Sequence, residues 1–183
     1  MRLTGATIST GGGPLCRGAP HEVGAENVTI LSPIHTLARE QVLPLPPVEA
    51  FELFADAFNL EAITPPWLHF RVVTPPPIAM RPGALIEYRL RLHTLPIRWL
   101  TRIEGWEPGR RFADVQVRGP YRAWHHTHTF EPDDGGTRMR DVVRYALPLG
   151  PLGELAHALL VRRDLERIFD FRRDAVAARL AAG

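Results

Sequence analysis

His126 and His128 stand two residues apart in Ala123-Trp-His-His-Thr-His-Thr-Phe130, and Asp114, Gln116 and Asp141 lie in the segments on either side. In an extended strand, every second side chain points to the same face. Trp124, His126, His128 and Phe130 would therefore share one face. An imidazole beside carboxylates has its cationic form favoured and can move protons. It can also simply satisfy a buried polar network, or hold the polar end of a ligand whose body rests on aromatics. Two histidines and a carboxylate can in addition bind a transition metal. All of these chemistries stay open at this stage. No metal and no cofactor is assigned, and no catalytic residue beyond the candidates His128, Asp114 and Asp141.

The register of two hairpins decides which groups meet. A turn at Gly119–Arg122 that pairs Arg118 with Trp124 sets Gln116 opposite His126, Asp114 opposite His128, and Phe112 opposite Phe130. Asp133-Asp134-Gly135-Gly136 is a strong hairpin turn. Pairing Pro132 with Thr137 across it sets Phe130 opposite Met139, His128 opposite Asp141, and Trp124 opposite Tyr145. The aromatics mark this face as the inward one, and Arg138, Arg140 and Arg144 mark the other as solvent-facing. A one-residue slip would exchange the two faces.

The rest of the chain supplies the frame. His35–Val42 reads as a strand stopped by Pro44, Pro46 and Pro47. Val48, Phe51, Leu53 and Phe54 give a short amphipathic helix, and Asn59–Ile63 a second one capped by Asn59. Strands are then expected at His69–Thr74, Ala84–His93, Ile97–Trp106 (after a turn at Thr94–Pro96), Phe112–Arg118, Ala123–Glu131 and Thr137–Leu147. Tyr88 and Trp99 fall on inward faces. From Glu154 to about Leu180 a long helix carries the stripe Leu155, Leu159, Leu165, Ile168, Phe169, Val176 and Leu180. His157 is expected on the surface of that helix. Gly150–Gly153 and Gly119–Arg122 are candidates for the mobile side of an entrance.

The chain has 183 residues, enough for one domain with a sizeable core. Residues 1–34 read as an extension and 35–183 as the domain. All 22 basic residues are Arg, interleaved with acids, which argues against a nucleic-acid surface. The single cysteine, Cys16, excludes an internal disulfide and a Cys-based zinc site, and fits a cytoplasmic setting. No apolar run reaches the roughly 20 residues of a membrane span, and no secretory signal is visible.

This order resembles the START and birch-pollen-allergen superfamily, also called SRPBCC, which includes polyketide cyclases and dehydrases, coenzyme-Q-binding proteins and lipid carriers. The resemblance rests on Asn59–Leu68, Gly119–Phe130, Gly136–Tyr145 and Pro148–Gly153, and spans about residues 35–180. It implies an α+β helix-grip fold: a curved antiparallel sheet, in β-α-α-β6-α order, around a long C-terminal helix with an internal pocket. It also implies a small hydrophobic partner, lipid-like or aromatic. The superfamily shares a pocket and not a reaction, so binding or transport and a cyclase or dehydrase chemistry both remain. The expected pocket residues are Trp67, Tyr88, Trp99, Asp114, Gln116, Trp124, His126, His128, Phe130, Asp141, Tyr145 and Phe169.

Overall fold

A computed structural model describes residues 33–182. The proposed extension, residues 1–34, thus lies outside the described residues except for its last two. The chain forms strand β1 (His35–Leu43), helices α1 (Pro47–Ala55) and α2 (Ala57–Ala62), and a short 3₁₀ turn at Pro66–Leu68. Strands β2 (Arg71–Val72), β3 (Leu85–Leu92), β4 (Leu95–Glu107), β5 (Arg111–Arg118), β6 (Ala123–Asp133) and β7 (Gly136–Ala146) follow. The last helix begins as α3 (Pro151–Ala156), widens into a π turn at His157–Val161 and continues as α4 (Arg162–Ala181).

The seven strands make one antiparallel sheet in the order β1-β7-β6-β5-β4-β3-β2. Each hairpin neighbour pairs with the next, and β1 closes the order against β7. This is the helix-grip α+β fold. Its core is layered: Leu43, Phe51, Phe112, Phe130, Met139 and Val176 pack at one end. Trp124, Val143, Tyr145, Leu165 and Phe169 pack at the other.

Local chemistry sets the boundaries. Pro47 opens α1, where a missing N–H costs nothing. Asp56 ends α1 and caps α2, its carboxylate accepting from Phe58 N at 2.8 Å. Asn59, the expected cap, instead donates from Nδ2 to Leu53 O, because only Asp56 separates the two helices. The β3–β4 turn is His93–Thr94, since Leu92 pairs with Leu95. Pro96 therefore lies inside β4, where β5 does not yet pair and no donor is missed.

Besides a shift between Leu100 and Thr101 in the β4–β5 pairing, three features depart from simple periodicity. A bulge after Glu104, with Gly105 at φ 55°, turns Trp106 inward against Phe51. The β5–β6 pairing is offset by two residues from the expected one: Phe112 faces His128 and Asp114 faces His126. The cause is Gln116, whose side chain folds back and brackets Tyr121, donating to its carbonyl at 2.7 Å and accepting from its N–H at 3.3 Å. The turn is widened by that clamp, and a two-residue offset leaves the faces unchanged. Third, the π turn retards the helical phase. Leu155 and Leu159, expected on the inward stripe, are 57% and 64% exposed.

Candidate functional site

The central strands bring Asp114, His126, His128 and Asp141 together on the concave face. Asp114 lies directly across from His126 and Asp141 directly across from His128. Each imidazole reaches both carboxylates. His126 places Nδ1 at 3.1 Å from Asp114 and donates from Nε2 to Asp141 at 2.9 Å. His128 places Nε2 at 3.4 Å from Asp114 and Nδ1 at 2.7 Å from Asp141, the latter off the line of a good hydrogen bond. The four groups form a closed ring of alternating acid and base. His128 stacks on Phe112, with centroids 4.4 Å apart.

Burial alone would pull the His126 pKa down. The Asp114 charge, with hydrogen bonds to Asp114 and Asp141, overcomes it and raises the pKa to about 9. Burial alone would push both carboxyls up. For Asp114 the His126 charge and the imidazole donors hold it well below the carboxylate range; for Asp141 the His128 charge leads the same effect. His126 is thus cationic and both carboxylates ionised at neutral pH.

Arg172 completes the site. On α4 it follows Phe169 by three residues and precedes Val176 by four, so it projects from the same inward stripe. Its guanidinium lies 5.3 Å from the Phe169 ring centre. Its Nη2 makes one long contact, 3.4 Å to Thr64 Oγ1, and its Nε is enclosed with no partner among the described residues. Burial presses its pKa below the usual range, and Asp141 and Asp114 offset this.

Asp114, His126, His128 and Arg172 wall one end of a cavity whose atom-free space, open solvent included, is about 1040 Å³. Its walls are otherwise apolar: Phe54 and Leu60 from the short helices, Tyr88, Leu90, Ile97 and Trp99 from β3 and β4, and Leu165 and Phe169 from α4. Pro120 and Tyr121 of the β5–β6 turn also line it. A smaller recess lies between β1 and α4, reaching Arg39, Asp141 and Arg173. His126, His128 and Arg172 border both spaces.

Of the residues singled out in the sequence, Tyr88, Trp99, Asp114, Trp124, His126, His128 and Phe169 line the cavity. Asp141 borders the recess. The other four lie elsewhere. Trp67 is 46% exposed and packs outside on Phe171 under Arg167. Gln116 is spent on the turn clamp. Phe130 is buried behind the ring with Phe51 and Phe112. Tyr145 is held by the last helix, its OH 2.9 Å from His157 Nε2. His157, expected on the helix surface, is turned toward the sheet by the π segment. Arg172 was missed, although its place in the helical stripe was readable.

Two groupings have metal-ligand atoms within 4.8 Å of one another: Asp114, His126 and His128, and His35, Glu154 and His157. Neither suits an ion as arranged. The first turns all its imidazole nitrogens toward carboxylates, with His126 cationic, whereas a metal needs a neutral imidazole nitrogen. In the second, His35 and His157 stack at 3.6 Å with planes 15° apart, and their Nε2 atoms are already engaged by Glu154 and the Tyr145 hydroxyl respectively.

The family model described as polyketide cyclase / dehydrase and lipid transport matches residues 35–181. The chain belongs to this family. No curated protein matches the chain. Solved structures share the fold. The Zhui aromatase/cyclase of a Streptomyces species superposes with TM-score 0.63 at 15% identity, over 81% of this chain and 94% of that one. A protein from Thermus thermophilus gives 0.57 at 24% identity, over 82% and 98%. A Chromobacterium violaceum protein gives 0.62 at 16% identity, over 79% and 96%. Membership in the polyketide cyclase / dehydrase and lipid transport family carries the framework of sheet and helix, while Arg172 and the Asp–His ring are read from this chain alone. No helix of the described residues is long and apolar enough to cross a membrane.

Proposed function

We propose that this chain binds, and in that sense carries, a small hydrophobic ligand in the cavity between the sheet and α4. The observation that carries the reading is an apolar cavity that ends on a buried, charged polar wall. Ligand sites combine mostly apolar lining with a few convergent polar groups. Trp99, Trp124, Leu165 and Phe169 suit a ring system or acyl chain. Cys16 as sole cysteine favours a reducing, cytoplasmic setting. The test is native mass spectrometry of the purified protein together with titration of fluorescent lipophiles. A bound small molecule, or saturable binding at micromolar concentrations, supports the reading. No retained species and no binding up to the millimolar range would end it.

A second reading has its own support: His126, His128 and Asp114 all face the cavity. An enzyme of cyclase or dehydrase type would use His128 as acid–base, with Asp114 or Asp141 orienting it. His128→Ala separates the two. A carrier loses affinity or stability; an enzyme keeps binding but loses turnover by about 100-fold or more.

A further inference from the structure

We infer that Arg172 makes the inner end of the cavity a carboxylate-recognition site, so that the ligand is an amphipathic organic acid with an apolar body and one carboxylate head. The inference rests on the binding reading above and narrows its ligand class.

The argument begins with how this protein uses arginine. Arg102, Arg111 and Arg138 each turn the Nε and Nη2 edge onto one oxygen of a carboxylate: Glu104, Glu107 and Asp133 respectively. That edge matches a carboxylate because its two N–H groups are coplanar and parallel. Arg172 has the same edge, yet its Nε has no partner and its Nη2 only the long contact to Thr64. No carboxylate among the described residues forms an ion pair with it, although Asp114 and Asp141 act on it at longer range. A buried donor without an acceptor is costly and uncommon. An arginine also stays charged in a protein interior.

A neutral head would leave the Arg172 edge without a matching pair of acceptors, which a single carboxylate supplies. The ring fixes its two carboxylates on the imidazoles, so neither is free to swing to Arg172. The apolar walls begin directly beside Arg172, at Phe169, Leu60 and Ile63. Acid head and hydrophobic body are therefore accommodated end to end. Engagement requires the guanidinium to turn its enclosed edge toward the cavity that it already borders.

The experiment is a matched titration of the full chain, by calorimetry or displacement of a fluorescent lipophile. The probes are dodecanoic acid, methyl dodecanoate and 1-dodecanol, with 2-naphthoic acid and methyl 2-naphthoate as the aromatic arm. The acid of at least one arm is expected to bind about 10-fold or more tightly than its ester, the scale of a charge-assisted pair. Which arm responds separates a chain-bearing from a ring-bearing ligand. Arg172→Met should abolish that preference, bringing acid and ester to equal affinity, and Arg172→Lys should restore only part of it. Equal affinity of acid and ester for the unaltered protein overturns the carboxylate inference but leaves the binding reading standing; this comparison needs no variant to fold. Failure of every probe to bind overturns both.

Discussion

At the scale of residues, the Asp114–His126–His128–Asp141 ring couples stability to pH. The His126 pKa rises on folding from its ordinary value of 6.5 to about 9. Its contribution is therefore complete below about pH 6.5 and is lost as pH rises through about 9. Both aspartates are depressed, so theirs is present above the ordinary carboxyl value of 3.8 and lost as pH falls below it. Urea melts across pH should give a broad maximum between about pH 4 and 6.5 and falling stability from about pH 6.5 to 9. A rise over that alkaline span would contradict a cationic His126 held by Asp114 and Asp141. Asp141→Asn removes one partner from two buried imidazoles and should cost about 3 kcal/mol; a loss below about 1 kcal/mol, the scale of an exposed pair, would show the ring to be loosely solvated. The grouping itself was legible in the sequence because alternation puts His126, His128 and Asp141 on one face. Its internal pairing was not: Gln116 closes the β5–β6 turn with its side chain, and no hydrophobic pattern records that. Arg172 escaped notice for another reason, since an arginine among apolar helix residues ordinarily extends its head to water.

At the scale of elements, hairpins were readable where the turn residues dictate geometry. Asp133-Asp134-Gly135-Gly136 gave the β6–β7 register residue for residue. The last helix was readable in extent but not in phase, because the π turn at His157–Val161 depends on what Tyr145 and His35 offer to His157. The join between β7 and α3 was expected to flex through its glycines. At Gly153 an added Cβ would meet Pro148 O at 2.1 Å, a backbone atom that cannot step aside, whereas at Gly150 it would meet nothing within 4 Å. Gly153→Ala should therefore lower stability by about 1–3 kcal/mol, the usual cost of overpacking. An unchanged urea midpoint would mean that the start of α3 is free to adjust and would support a flexible gate there. The turn bearing Pro120 and Tyr121 remains beside the cavity, and its Gln116 clamp is the element on which opening would depend.

At the scale of the whole molecule, sheet and helix together leave an apolar space whose far wall is charged. Neither part alone makes a site: β5, β6 and β7 supply the ring, α4 supplies Arg172 and Phe169, and β3 and β4 supply the remaining aromatic wall. Ordering by strand and helix was visible in the sequence because each element carries its own period. The cavity was not, since it depends on how far α4 stands off the sheet. The claim that joins these levels is that the space receives a hydrophobic molecule, and it is tested most directly by titrating dodecanoic acid and 2-naphthoic acid into the purified chain by calorimetry. The account predicts saturable, one-to-one binding of at least one of them at micromolar concentration. No heat of binding from either up to the millimolar range, with the protein shown to be folded, would contradict it.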